Sequence, residues 1–439
     1  MGQVITSSSN CHIDILTDDA LIIIFSFLTL YERLMVMRVS KRWHRILSNP
    51  QVWTHVDFWQ QQQLTSMTRK RLKSSRYSQT WMFPANKESV LDFLKKYTSG
   101  SLKSIYLNVV SNDILTHLKK NCFNLEIISF LSANDPADTA YTSDINASFP
   151  EIMPLHKTVK VCEVSWLPIN DKKQWENLMM CFAKCTNLRR LILRNIRLTP
   201  EVCMALSDSK VTELSQLSFL NMGVAVDAFH NSSQLNTALI SLYNLTKITS
   251  FRMITDDPNN SQNWLNLDRF LCAITDKWQD LRCLSLIGIQ ALSCQTFALM
   301  TLALSQLQIL ELHGKTITDE NISLIAKHLN KLITLKLTDG SYTPIGIRML
   351  DGHPAIEKLY LLENHQVQPS PEWLLAVYDV IHSLPKIIYV KLIGNRVISL
   401  HAREQLPEVT RDVQVEVENS EIRFQIDWLS HRPAPLLLD

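Results

Sequence analysis

Leu307-Gln308-Ile309-Leu310-Glu311-Leu312 is followed 25 residues on by Leu332-Ile333-Thr334-Leu335-Lys336-Leu337, and preceded 26 residues earlier by Leu281-Arg282-Cys283-Leu284-Ser285-Leu286. Each segment is apolar at its first, fourth and sixth positions. Positions four and six share one face of an extended strand, because strand side chains alternate with a period of two. With Ile, Val, Met, Phe or Cys admitted for Leu, the pattern extends outward in both directions. Earlier copies begin at Leu102, Leu125, Val159, Leu188, Leu214 and Ile248, and later ones at Ile356 and Ile387. A plain alternation, Val413, Val415 and Val417, follows the last copy.

Between these strands the apolar spacing turns helical, as in 175–183, 267–274, 322–329 and 373–381. Strand then helix, repeated, gives a parallel sheet lined by helices. No single unit can bury its own apolar face, so stacking supplies the core. Successive copies start 23 to 34 residues apart. The shorter steps resemble those of leucine-rich repeats, and the longer ones imply inserted loops. The fold class expected is α/β: a leucine-rich-repeat solenoid, a horseshoe of about eleven to twelve repeats.

The head of the chain reads differently. Thr17 can cap a helix whose first turn holds Asp18 and Asp19. Leu21, Ile24, Phe25 and Leu28 follow at helical spacing. Thr29 and Glu32 form a capping box ahead of Leu34 and Met37. Ser40 can cap a third helix carrying Trp43, Ile46 and Leu47, which Asn49-Pro50 stops before Trp53 and Val56. A three-helix unit over 13–56 is too small to stabilise itself readily, and it carries more large apolar side chains than it can bury. Part of that surface should dock on something else.

Residues 16–56 resemble an F-box. Leu16, Leu21, Ile24, Phe25, Leu28, Glu32, Leu34, Val39, Lys41, Trp43 and Trp53 fill the family's pattern in order. Thr17 stands where the family has Pro, Arg33 where an apolar residue is common, and Ser40 where it has Cys. The resemblance implies an SKP-type adaptor bound through Leu16, Thr17, Leu21, Ile24, Phe25, Leu28, Leu34, Val39, Trp43 and Trp53, with a cullin scaffold reached indirectly. Together with the repeats, it resembles the leucine-rich-repeat class of F-box proteins. That class implies a non-catalytic, substrate-recognition subunit of an SKP–cullin–F-box ubiquitin ligase.

The rest of the sequence narrows the alternatives. Among 439 residues there are only 9 glycines, and neither dinucleotide nor P-loop phosphate-cradling motif occurs. A doubly wound α/β enzyme is therefore disfavoured. Net charge is +2, which suggests no nucleic-acid partner. Nine cysteines lie scattered without a C-x-x-C pair or metal spacing, as expected of free thiols in a reducing compartment. No cofactor or metal is expected. The apolar run near 21–30 is too short to span a bilayer and follows acidic residues, so it is a poor signal peptide. The cytoplasm or nucleus is the expected location. Met1-Gly2 opens a short N-myristoylation pattern, which puts Gly2 forward as a lipidation site. The alternative function is thus a binding scaffold outside ubiquitin transfer, membrane-associated through that lipid.

Within each copy, the third, fifth and seventh positions should face the concave side of the sheet. These place Arg190, Arg194, Arg252, Glu311, His313, Lys336, Lys358, Tyr360, Tyr389 and Lys391 as candidate substrate contacts. Arg forks and Tyr rings suit an acidic or phosphorylated protein segment. Glu311 and His313 could point the same way, but no motif sets a nucleophile beside them. The expected organisation is a disordered 1–12, the helical module 13–56, a linker and cap 57–101, the repeats 102–417 and a tail 418–439. Polar insertions at 132–157 and 255–263 read as surface loops. The basic run 69–73 reads as a solvated helix face or an import signal.

Overall fold

The structure, a computed structural model, describes residues 12–58, 87–98, 100–107, 109–130, 157–165, 172–194, 196–198, 200–208, 211–224, 232–255, 267–288, 292–314, 317–338, 340–362, 371–394 and 413–419. Gly2, the basic run 69–73, nearly all of both polar insertions and the tail beyond 419 lie outside them. The chain divides into two compact units, residues 1–191 and 192–439.

The first unit opens with three short helices, α1 (Asp18–Ser26), α2 (Leu30–Val36) and α3 (Lys41–Leu47), and a 3₁₀ turn at Pro50–Trp53. Each starts where a side chain can satisfy a free backbone N–H. Thr17 accepts from the Ala20 amide, Thr29 and Glu32 form a reciprocal capping box, and Ser40 accepts from Trp43. Directly behind them, β1 (His55–Asp57) pairs in parallel with β2 (Ser104–Leu107). The sheet therefore begins ahead of residue 102. β2 pairs with β3 (Ile127–Phe130), and β3 with β4 (Val161–Ser165). The unit also holds α4 (Lys87–Tyr97), α5 (Asn112–Asn121) and α6 (Lys172–Lys184). The boundary between the units falls within β5 (Arg190–Arg194).

In the second unit a short β6 (Arg197–Leu198) joins the end of β7 (Gln216–Val224). Then β8 (Ser250–Thr255), β9 (Cys283–Ile287), β10 (Ile309–His313), β11 (Thr334–Thr338), β12 (Lys358–Leu362), β13 (Tyr389–Gly394) and β14 (Gln414–Asn419) each pair in parallel with the next. Their connections carry α7 (Pro200–Asp208), α8 (Ser232–Ser241), α9 (Asp268–Thr275), α10 (Cys294–Ala303), α11 (Asp319–His328), α12 (Pro344–Arg348) and α13 (Pro371–Ser383). The fold is an α/β repeat solenoid preceded by helices. The first, fourth and sixth residues of all eleven copies are buried, as the pattern requires. Phe251, Phe270 and Trp278 fill one wide layer, with Phe251 centroids 5.3 Å from each of the other two. At ~25 cal/mol per Å² of apolar surface, such layers are the main stabilising term.

Polar contacts repeat along with the apolar ones. Ser293 and Thr343, the N-caps of α10 and α12, each donate a backbone N–H to an Asp that begins an earlier helix, Asp268 at 3.0 Å and Asp319 at 2.7 Å. Asp319 also accepts the Thr343 hydroxyl at 2.6 Å. Gly346 packs against that carboxylate, and an added Cβ would overlap it, 2.8 Å from Cγ. Replacing Gly by Ala in a helix normally stabilises by about 0.5–1 kcal/mol. Here the sign should reverse. Gly346→Ala is expected to lose about 1–3 kcal/mol by pushing Asp319 off Thr343, read as a lower denaturant midpoint at unchanged slope. A gain in stability would refute the packing described.

His353 gives the fold a pH dependence. The ring is buried after α12; its Nε2 donates to the Leu329 carbonyl at 3.2 Å and its Nδ1 accepts the Ala355 N–H at 3.3 Å. Both nitrogens are committed to the neutral ring. Burial, opposed by the Leu329 hydrogen bond, holds the pKa below its ordinary 6.5. The unfolded chain then binds the extra proton first, so this stability is complete above about pH 6.5 and is lost as pH falls from there through the folded value. Unfolding free energies at pH 7.5 and 5.5 should differ in that direction. His353→Gln should flatten the slope.

Candidate functional site

The helical module is held together by a cation in its interior. Arg33 on α2 is 5% exposed, and every acceptor found for it is a backbone carbonyl. Nε reaches Leu28 O at 2.8 Å, Nη2 reaches Ser26 O at 2.7 Å, and Nη1 reaches Val52 O at 2.7 Å and His55 O at 3.3 Å. One guanidinium thus ties the end of α1 and the α1–α2 turn to the 3₁₀ turn and β1. Burial lowers its pKa to about 10, so it stays charged at neutral pH. It also lies over the Trp53 ring, 5.4 Å from the centroid. Asp18 closes the other end of the module, 2.8 Å from Arg42 and 2.7 Å from Arg45 on α3. Those partners, the Arg42 hydrogen bond foremost, hold its carboxyl below the usual range.

Trp53 is the joint between the helices and the sheet. It is fully buried, donates Nε1–H to Leu47 O at 2.6 Å, and meets the Phe93 ring of α4 edge-on at 5.0 Å. Phe58 packs on the same Phe93, and its N–H reaches Tyr106 O at 2.9 Å. Leu21 and Phe25 are buried too, the latter edge-on to Trp43 at 5.3 Å. What remains uncovered is large and apolar. Phe27 is 84% exposed, Val39 65% and Ile23 60%, with Ile24, Tyr31 and Met35 also exposed. Ile23 and Phe27 lie four apart, as do Tyr31 and Met35, so each pair shares a face.

In the second unit, the non-core residues of the strands line up across the sheet in one register. Ser218, Arg252, Ser285, Glu311, Lys336, Tyr360 and Lys391 form one row. Glu311 is buried and accepts the Ser285 hydroxyl at 2.7 Å, while Lys336 pairs with its other oxygen. In the first unit, Ser129 donates to the buried Glu163 in the same way at 3.0 Å. Lys336 is thus neutralised within the protein. Tyr360 and Tyr389 meet at a tilt on neighbouring strands, ring centroids 5.4 Å apart, with Lys358 opposite Tyr389 and Lys391 opposite Tyr360. His313, two residues beyond Glu311, is buried. Arg190 and Arg194 lie half-buried on β5. Among the described residues, no group of three His, Cys, Asp or Glu could hold a metal, and no helix is long and apolar enough to cross a membrane.

The capped helices and the residues joined to them have a known counterpart. Residues 18–59 form an F-box-like domain. That span matches the F-box-like family model. No curated protein matches the chain significantly. Among solved structures, the crystal structure of the yeast Rad7–Elc1 complex aligns over 91% of this chain and 92% of that one, at 12% identity and a TM-score of 0.45. A TLR13–ssRNA13 complex aligns over 67% of this chain and 40% of that one, at 16% identity and a TM-score of 0.37.

The expected adaptor contacts of the F-box-like domain separate into three groups. Leu21, Phe25 and Trp53 are buried inside the domain, where they shape it. Leu16, Leu28, Leu34 and Trp43 are half-buried, and Thr17, Ile24 and Val39 are exposed. Thr17, standing where the family has Pro, serves as the N-cap of α1. Ile23, Phe27, Tyr31 and Met35 were missed as candidates. Their signal was present: they are apolar but out of step with the inward Leu21–Phe25 stripe.

Proposed function

We propose that this chain is the substrate-recognition subunit of an SKP–cullin–F-box ubiquitin ligase. The F-box-like domain docks on an SKP-type adaptor, which links it to the cullin, and the repeats hold a protein substrate. The observation that carries this reading is the uncovered apolar set of Phe27, Val39, Ile23, Ile24, Tyr31 and Met35 on a domain of this family. Exposed apolar clusters of this kind mark protein interfaces. The chain's contribution to catalysis is proximity alone, holding the substrate near the charged conjugating enzyme. Free thiols at all eight cysteines of the described residues support a cytoplasmic or nuclear location.

The test is reconstitution. Purified chain and SKP-type adaptor should co-elute as one complex that then recruits the cullin. Failure to co-elute at micromolar concentrations would remove the ligase role and favour a repeat scaffold outside ubiquitin transfer. For substrate, the face carrying Tyr360, Tyr389, Lys358 and Lys391 sets two tilted, packed rings beside lysines, with the exposed Lys358 a fit for an acidic segment. Replacing both Lys358 and Lys391 by Glu should lower substrate capture about tenfold while adaptor binding stays unchanged. Equal loss of both activities would mean misfolding, and no loss would move the substrate site elsewhere.

A further inference from the structure

We propose that the edge of the first unit where its helices turn into its strands is a second interaction surface, built for an acidic, extended protein segment. Lys95 and Lys96 end α4, Lys119 and Lys120 end α5, and Lys184 ends α6. Lys157 stands in the turn before β4, and all six are exposed. Direct hydrogen bonds stack these turns on one another. Asn124 Nδ2 donates to Gly100 O at 2.7 Å, Thr158 Oγ1 to Phe123 O at 3.0 Å, and Asn187 Nδ2 to Lys157 O at 2.8 Å. The lysines therefore follow one line, at steps no larger than those between neighbouring repeats.

Lysine at a helix C-terminus has an ordinary explanation, complementing the macrodipole. That end carries only about half a negative charge, and a Lys pair brings two positive ones. Each pair brings more positive charge than its own helix end can balance. The strand starts beside the turns do not cancel it. The residues there are Lys103, Glu126, Lys160 and Arg189, and Glu126 is already bridged by Lys160 at 2.8 Å. The corresponding turns of the second unit differ, because Asp208, Glu213, Asp276, Asp280 and Asp351 alternate there with the bases. The positive line is specific to the unit that carries the F-box-like domain.

The chemistry favours a protein segment over nucleic acid. The cations are mostly Lys, point charges without the planar fork that pairs with phosphates and bases. Single-stranded nucleic acid wants successive aromatic platforms. The described edge offers one exposed ring, Phe123 at 60%, in the turn between Lys120 and β3. A run of Asp and Glu with one large apolar side chain, set to meet Phe123, fits this arrangement. The surface is distinct from the apolar face of the F-box-like domain, so its standing does not depend on the ligase role.

The test uses the full chain and a fluorescein-labelled peptide of about twelve alternating Asp and Glu residues with one central Leu. Anisotropy should report saturable binding that weakens steeply with salt. A variant with Lys95, Lys96, Lys119 and Lys120 all replaced by Glu should bind at least about tenfold more weakly. The matching Gln variant should fall between, and Lys327→Glu with Lys331→Glu in the second unit should leave affinity unchanged. Phe123→Ala should weaken this peptide but not one with Ser in place of Leu. Thermal melting and circular dichroism confirm that each variant is folded. Equal binding by the four-Glu variant, or tighter binding of a single-stranded oligonucleotide of matched charge, would overturn the proposal.

Discussion

Arg33→Ala should lower the stability of the first unit by about 3–5 kcal/mol, the largest effect expected of any single substitution in the chain. The change removes hydrogen bonds to four carbonyls, those of Ser26, Leu28, Val52 and His55. It leaves the buried Val52 oxygen without that donor, and the part-buried oxygens of Ser26, Leu28 and His55 lose it too. Each buried, unsatisfied polar group costs about 1–3 kcal/mol, and hydrogen bonds from a charged donor are at the strong end. The cation–π contact with Trp53 is lost as well. Arg33→Lys should recover less than half, because one ammonium cannot span acceptors on opposite sides of a planar fork. Urea unfolding followed by tryptophan fluorescence measures this, and a loss under about 1 kcal/mol would mean that the geometry around Arg33 is wrong. The substitution should also weaken adaptor capture, since Arg33 fixes the start of α2 against the end of α1.

Phe27→Asp should have the opposite profile. Among the described residues Phe27 is the most exposed large apolar one, in the turn between α1 and α2, and at 84% exposure it adds little to the core. Stability should change by less than about 0.5 kcal/mol, as for an ordinary surface substitution. Adaptor affinity should fall about a hundredfold or more, because an anchor is lost and a charge is driven into an apolar interface. Calorimetric titration against purified adaptor gives the number. Undiminished affinity at full stability would place the docking face elsewhere on the domain. Stability and binding thus separate by residue: Arg33 moves both, Phe27 only the second.

The repeat architecture was legible because one physical rule generates it. An apolar residue at the first, fourth and sixth positions of each copy is what a buried parallel strand and its entry turn require, and all of those side chains are buried. The helix starts were legible for the same reason: Thr17, Thr29 and Ser40 are short side chains placed to cap. Three things were not legible. β1 has only three residues, His55, Val56 and Asp57, too few for a periodic signal. Arg33 reads as a departure from an apolar pattern, because its acceptors are main-chain carbonyls that every sequence possesses. The face of the strands could be assigned but not its free charge. That Lys336 is neutralised by Glu311 depends on which strands are neighbours.

The pairing of His55–Asp57 with Ser104–Tyr106 has a mechanical consequence. A domain tethered by a free linker would swing, and whatever was bound to it would hold no fixed place relative to the strands. Here the polypeptide leaves the third helix and becomes, within a few residues, the outermost rung of the first sheet. An adaptor that grips the helices grips that rung too. Amide protons at 56 and 58 should accordingly exchange with solvent only on cooperative opening of the early repeats, and lengthening the chain between Trp53 and His55 by a few glycines should turn a fixed bracket into a leash.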